Sequence, residues 1–462
     1  MVFRQFIHDD LGCASYVVGD DAAGEAAVID PGLDVEAYLA FAGFAGVRIT
    51  HILETHNHAD HVSGHGRLAA ATGATIHVSR LAEAEYPHDP IDDGWELPIG
   101  SVRIRAIATP GHRPEHTAFA LIDTARAPEP WAVLTGDTLF VGDIARPDLA
   151  VEKSEGARGI FHSLRERLLP LGDDVEVWPG HLGGSLCGGP AMDMKISSTI
   201  GFERRHNPLL GIEDEAAFVA EAIADLPPQP PTVAAVVARN RGPLADDSIG
   251  SRALTPLEVA RHAEAGDLVV DIRSERQFDQ AHVPGAVCLT TLHAGFGSRL
   301  GWLAGTERPV VLVGRDDEDA GRAARLAASV GVTRVAGHLG GGMTAWQEDG
   351  RPTESIARMA AADLPAALAA DPALQVLDVR EASEWAEGHV PGAVHVPYHA
   401  IAAVPDGIDP ERPVAVVCAS GRRSAVGASV LRRLGVQDVV HVVDGGVPEL
   451  ALAGLALEPG AG

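Results

Sequence analysis

Thr55-His56-Asn57-His58-Ala59-Asp60-His61 places three histidines and one aspartate within six residues. The run before it, residues 47–54, is apolar and β-branched and predicts a strand. Residues 66–71 after it are helix formers. The cluster therefore falls on a loop at the C-terminal end of a strand, where α/β folds build their sites. Three imidazoles and a carboxylate pack poorly in a loop, but they are a suitable donor set for zinc or iron(II). A merely polar surface loop would predict no matching residues further along the chain. Here the matching residues follow in order.

Strand-like residues 102–109 end in Pro110-Gly111-His112, residues 131–134 in Thr135-Gly136-Asp137, and residues 175–178 in Pro179-Gly180-His181. The pattern is strand, glycine, ligand, with glycine allowing a sharp turn beside a metal. Taken together, T-H-x-H-x-D-H, P-G-H, G-D and P-G-H resemble the metallo-β-lactamase fold over about residues 1–210. The resemblance implies an αββα sandwich with the metal at one edge. It leaves the reaction open, because hydrolases, nucleases and oxygenases share that fold.

The chain has 462 residues, too many for one core, and three domains are expected. An apolar fraction of 46% and a charged fraction of 22% suit a soluble globular protein. The formal net charge of −28 argues against a nucleic-acid substrate, which needs clustered Lys and Arg. Cys13, Cys187, Cys288 and Cys418 are too scattered for a disulfide framework or a zinc ribbon and fit a reducing compartment. No stretch has the length of a membrane span, and the N-terminus reads without a signal peptide, so a cytoplasmic location without membrane attachment is expected.

Residues 12–30 read as a hairpin and residues 35–46 as a helix. Pro227-Pro228-Gln229-Pro230-Pro231 and the polar stretch 239–251 read as a linker, closing a first domain at residues 1–240. An internal repeat follows. Leu268-Val269-Val270-Asp271-Ile272-Arg273 matches the segment around Val376-Leu377-Asp378-Val379-Arg380, and His282-Val283-Pro284-Gly285-Ala286 matches His389-Val390-Pro391-Gly392-Ala393 at the same offset. Strands alternating with helices predict two α/β domains with parallel sheets, at residues 251–355 and 356–462. Both repeats resemble rhodaneses, the sulfurtransferase family.

The last domain carries Cys418-Ala419-Ser420-Gly421-Arg422-Arg423-Ser424 between a strand at 413–417 and a helix expected over 425–434. A thiolate there would face a helix N-terminus and a ring of backbone N–H groups. The loop has the C-x-x-G-x-R-S form of active rhodaneses. That resemblance implies Cys418 as nucleophile, Arg423 as the loop arginine, and Ser420, Gly421 and Arg422 around the bound sulfur species. The first repeat reads Gly314-Arg315-Asp316-Asp317-Glu318-Asp319 at this place, with no cysteine and four consecutive acids, so no catalytic role is assigned to it. It is expected to be a spacer or an assembly surface, and a homo-oligomer is expected.

A metallo-β-lactamase-like domain fused to rhodaneses resembles the persulfide dioxygenases, and the segment 139–149, containing Arg146, is similar to that family. The resemblance implies one iron(II) per chain, held by His56, His112 and Asp137, with Arg146 positioning an anionic substrate. His58, Asp60, His61 and His181 would be outer residues or a vacant second site. Cys187, in a Gly-rich loop six residues past His181, is expected to be accessible and to shuttle sulfur. His51, His65, His77, His206 and His338 are read as structural. The implied substrates are a low-molecular-weight persulfide and O₂, with sulfite and thiosulfate exchanged at Cys418, in hydrogen sulfide metabolism. Two alternatives stay open: a glyoxalase II-like dinuclear thioester hydrolase using all seven ligands, and a non-oxidative sulfur carrier or sensor.

Overall fold

Apolar alternation along the N-terminal strands is resolved in the computed structural model as two facing six-stranded sheets. The described residues are 1–460 apart from Gly184, Leu186, Pro190, residues 245–248 and Ala453. Residues 245–248 of the expected linker, and Gly184 and Leu186 of the Cys187 loop, thus lie outside the described residues. The first sheet takes its strands in chain order, from Val2–His8 through Cys13–Asp20, Glu25–Ile29, Arg48–Leu53 and Thr75–Ser79 to Asp89–Ile91. The second runs from Ser198–Thr199 at one edge through Glu176–Pro179, Ala132–Gly136, Thr117–Asp123 and Val102–Ala108 to Glu96–Ile99. Tyr16, Val18, Ile29 and Leu53 of one sheet interlock with Ile104, Phe119, Leu121 and Leu134 of the other. The outer faces are covered by helices: Tyr38, Ala42 and Leu68 pack on the first sheet, and Ile160, Phe161 and Phe218 on the second. This is the expected αββα sandwich.

The edge strand Val2–His8 has no counterpart in the sequence reading. Its residues are mostly half-buried, so the apolar signal is weak, yet Phe3 reaches the inter-sheet core and meets Trp131 and Trp178 edge-on. The linker reading also needs correction. Residues 233–241 form the helix Val233–Arg241, whose Asn240 is buried.

The remaining strands form two five-stranded, wholly parallel sheets with one shared order. The first is Ala253–Leu254, Val335–Leu339, Val310–Val313, Leu268–Asp271, Val287–Cys288; the second is Ala357–Ala360, Val439–Val443, Val414–Val417, Gln375–Asp378, Val394–His395. Cys288 pairs with Asp271 as His395 pairs with Asp378, which places the two in equivalent register. Each repeat is clasped by the same buried ion pair. Arg273 donates from Nε and Nη2 to Asp271 and from Nη2 to the Ala281 carbonyl. Arg380 does the same to Asp378 and the Gly388 carbonyl. The described residues divide into two units, Met1–Ser248 with Ala328–Gly331, and Ile249–Ala327 with Val332–Gly462, so both parallel sheets share the second. No helix among the described residues is long and apolar enough to cross a membrane.

Candidate metal centre and thiol loop

His56, His112 and Asp137 leave the ends of three strands, Arg48–Leu53, Val102–Ala108 and Ala132–Gly136, and converge. Each is about 1% exposed. His56 Nε2 lies 3.9 Å and His112 Nε2 lies 3.5 Å from Asp137 Oδ2. These three atoms have no hydrogen-bond partner, although buried polar atoms are normally paired. The groups behind them explain why. The Thr55 hydroxyl donates to Asp30 Oδ2 at 2.9 Å, so it can accept from His56 Nδ1–H at 2.8 Å. His112 Nδ1–H donates to the Arg146 carbonyl at 2.9 Å. Both rings thus present a bare Nε2 lone pair, the arrangement seen behind metal-bound histidines. Burial, then the neighbouring histidines, holds His56 well below its ordinary pKa, and burial also lowers His112 despite Asp137. Asp137 Oδ1 accepts from His181 Nδ1 at 2.9 Å, leaving Oδ2 to face the imidazoles. Burial works against the Asp137 carboxylate, yet His181 and His112 carry its pKa below the usual range. Two neutral imidazoles and one carboxylate with orphaned, converging atoms fit a divalent metal.

Glycine makes the approach possible. Gly136 has φ +48°, and a Cβ there would sit 2.6 Å from His116 Nε2; a Cβ on Gly180 would sit 2.6 Å from Asp137 Oδ1.

Asp60, His61 and His181 form a second buried cluster, and Cys13 joins it. Asp60 Oδ2 accepts from Cys13 Sγ at 3.0 Å, faces His61 Nδ1 at 3.0 Å and His181 Nε2 at 2.9 Å. The facing atoms of this cluster satisfy one another, and only Asp60 Oδ1 lacks a partner. His58 stands apart from it. Its Nε2 lies between Asp30 at 3.2 Å and Glu54 at 3.3 Å, and these carboxylates outweigh burial and raise its pKa to about 10. The four outer residues named from the sequence therefore divide, with Cys13 in place of His58.

Three neighbours escaped the sequence reading. Cys13 is one. His116 is another: its Nε2 accepts the Asp137 N–H at 2.9 Å, and burial, then His112, holds its pKa at about 3. The third is Asn240, 3% exposed. Its Nδ2 donates to the carbonyls of His58 at 2.9 Å and His61 at 2.7 Å, and its Oδ1 accepts from Ser63 N at 2.8 Å. One side chain thus fixes the backbone of the histidine loop from far along the chain.

Arg146 is buried, with its guanidinium bonded to both Asp148 oxygens at 2.7 and 2.9 Å and to the Pro227 carbonyl. Its carbonyl reaches the centre by accepting from His112 Nδ1. Cys187 is buried, contrary to the accessibility expected from its Gly-rich loop. It is 2% exposed, packed against Phe140, Ala145 and Met192, and grouped with Asp137 and His181. Burial first, then Asp60, pushes its thiol well above the ordinary range.

In the second unit, Cys418 ends the strand Val414–Val417, and the N–H groups of Gly421 and Ser420 point at its Sγ at 3.1 and 3.4 Å. The helix begins earlier than expected, spanning Arg422–Arg433. Arg423 therefore lies in its first turn, where it pairs with both oxygens of Glu384 at 2.5 and 2.7 Å; Arg422 is exposed. In the first repeat, Arg315 instead pairs with Asp319 at 2.9 Å.

Residues 8–181 match the metallo-beta-lactamase superfamily, and residues 255–349 and 360–453 match the rhodanese-like domain. The human mitochondrial persulfide dioxygenase ETHE1 is 31% identical over 183 residues, which is 39% of this chain and 68% of that protein. The chain belongs to the metallo-β-lactamase superfamily. Within it, this protein is a persulfide-dioxygenase-like domain fused to tandem rhodanese-like domains. A crystal structure titled metallo-beta-lactamase, from Staphylococcus aureus subsp. aureus COL, is 30% identical with a TM-score of 0.65, covering 73% of this chain and 98% of that one. A hydroxyacylglutathione hydrolase of Rhodospirillum rubrum is 34% identical over 171 residues, 36% of this chain and 60% of that protein.

Proposed function

We propose that this chain oxidises low-molecular-weight persulfides with O₂ over residues 1–240, at one iron(II) held by His56, His112 and Asp137. Residues 356–462 would exchange sulfane sulfur through Cys418, and residues 251–355 would hold no active centre. The carrying observation is the contrast between the two clusters. Three orphaned atoms converge at His56, His112 and Asp137, whereas Asp60 Oδ2 already faces Cys13, His61 and His181 and only Oδ1 is left over. That contrast favours one metal over the two of a thioester hydrolase. Two histidines and one carboxylate are the donor set of non-haem iron(II) oxygenases, and the likeness to a persulfide dioxygenase supports the substrate class.

Iron(II) at this place would supply open positions for O₂ and the terminal sulfur. The overall change is R-S-S⁻ + O₂ + H₂O → R-SH + SO₃²⁻ + H⁺. Thr55 and the Arg146 carbonyl hold the two imidazoles in their ligating tautomer. His116 fixes the Asp137 backbone, and the burial of the trio excludes bulk water. At the second centre, the Cys418 thiolate takes the sulfane sulfur of thiosulfate, releasing sulfite and leaving a persulfide cradled by the N–H groups of Ser420 and Gly421; the reverse step makes thiosulfate.

The test is O₂ consumption by the iron-loaded chain with a small-molecule persulfide. Uptake should vanish in Asp137→Ala and persist in Cys418→Ser, with sulfite replacing thiosulfate among the products. Absence of uptake with iron bound would refute the dioxygenase reading and leave the dinuclear hydrolase first in line.

A further inference from the structure

The rhodanese-like repeat whose loop at residues 314–319 has no cysteine reaches the loop that carries Cys418 in the other repeat. The loop turns at Gly421, whose φ of +91° lies in the left-handed region. Glycine permits that turn but does not enforce it, so something else must hold it. The Gly421 carbonyl is held by His441 Nε2 at 2.7 Å. His441, fully buried on the strand Val439–Val443, faces Asp279 Oδ2 with its Nδ1 at 2.9 Å. Asp279 belongs to the first repeat, on the helix Glu275–Gln280. The same oxygen accepts from Arg358 Nη1 at 2.6 Å.

The Gly421 carbonyl can only accept, so the ring donates to it from Nε2, while Nδ1 faces the Asp279 carboxylate. The carboxylate thus orients the ring that clamps Gly421, whose own N–H points at Cys418 Sγ. The position of Asp279 also argues for a role outside its own repeat. Its counterpart in the matching helix Ala382–Glu387 is Ala386, so the repeat fold does not need an acid there. The helix behind the loop is gripped by the first repeat as well. Ser429 Oγ accepts from Cys288 N at 3.0 Å, and Arg433 donates to the Gly285 carbonyl at 2.9 Å.

We propose that Asp279 of the first repeat is a positioning residue for the Cys418 loop, acting through His441 and Gly421. The first repeat is then part of the sulfur-transfer apparatus rather than a spacer. This rests on Cys418 being the sulfur-carrying nucleophile.

The experiment uses the full chain with Asp279→Asn, which keeps the volume and removes the charge, and Asp279→Glu, which restores the charge. Two quantities are read at fixed pH: sulfur transfer from thiosulfate to cyanide, and the rate of Cys418 alkylation by iodoacetamide, followed by mass spectrometry. Asp279→Asn should lower kcat about tenfold with KM for thiosulfate little changed, as misaligned catalytic groups do. Its alkylation should slow about threefold or more as the thiolate loses its aligned N–H groups. Asp279→Glu should recover part of both. A folded Asp279→Asn with wild-type kcat and wild-type alkylation overturns the proposal. If that variant does not fold, Asp279→Glu carries the test by itself: wild-type values in both readings overturn the proposal, and values below wild type with intact secondary structure support it. A wild-type chain that moves no sulfur from thiosulfate would sink the sulfur-transfer reading, while the alkylation comparison would still decide the positioning.

Discussion

Asn240→Ala tests whether a residue far along the chain sets the geometry of the metal loop. The substitution removes three hydrogen bonds at 2.7–2.9 Å and leaves Ser63 N and the carbonyls of His58 and His61 buried without that partner. At about 1 kcal/mol net per bond, with extra cost for buried groups left unpaired, the loss should be about 3–4 kcal/mol. For a unit of this size that lowers the melting temperature by roughly 6–16 °C. The released carbonyls flank His58 and His61 and lie within a few residues of His56, so iron affinity should fall roughly 10–100-fold, as when the groups behind metal ligands are removed. Iron binding would be followed by competition with a chelator of known affinity, and stability by calorimetry on the metal-free and loaded protein. Asn240→Asp is the companion. It can still accept from Ser63, but it sets a carboxylate against two carbonyl oxygens, and it should be at least as damaging. Wild-type iron affinity and an unchanged melting temperature in Asn240→Ala would refute the reasoning.

Other perturbations have separate readouts. Gly136→Ala would place a Cβ 2.6 Å from His116 Nε2 at a φ of +48°; it should cost about 2–3 kcal/mol and abolish stoichiometric iron binding in elemental analysis. Asp271→Asn and Asp378→Asn each break a buried clasp with an arginine. Each should destabilise by about 3–5 kcal/mol in denaturant unfolding, and a fall below 1 kcal/mol in either would show that the clasp is incidental. Burial, then His51, draws the His77 imidazole from 6.5 down to about 4. Above pH 6.5 the ring is neutral in both folded and unfolded chains. Between 6.5 and about 4 only the unfolded chain takes the proton, so stability falls as pH is lowered through that window. His77→Gln should make that slope shallower in urea titrations at pH 7, 6 and 5, and an unchanged slope would remove His77 as a contributor.

The residues of the candidate metal centre were legible because each follows its own strand within a few residues, and His112, Asp137 and His181 each come directly after a glycine. The parallel repeats were legible because the Asp-x-Arg clasp and the H-V-P-G-A turn recur at one spacing. What escaped comes from distance. Asn240 reads as part of a polar linker until the helix Val233–Arg241 lays it against the histidine loop. Cys13 opens the strand Cys13–Asp20 with nothing in its neighbourhood to suggest a partner 47 residues away. His116 follows His112 by four residues, and that spacing was the one signal available. The error over Cys187 has a physical reason. Glycines near a thiol suggest openness, but Phe140, Ala145 and Met192 close over it. Arg423 was read as lying on a loop because the helix was expected from 425, whereas Gly421 turns the chain into helix at Arg422.

The twin clasps, Asp271–Arg273 and Asp378–Arg380, separate what holds these repeats together from what they do. Both are buried at strand ends and are common to the two repeats, whereas the loops that follow the neighbouring strands differ, with Cys418 in one and acids in the other. Duplication with such a split leaves each copy's loop free to drift while its architecture is preserved. One copy can keep the reactive sulfur and the other can lose it without unfolding. A lineage can thus convert a spare catalyst into a fitted bracket for its twin, one side chain at a time.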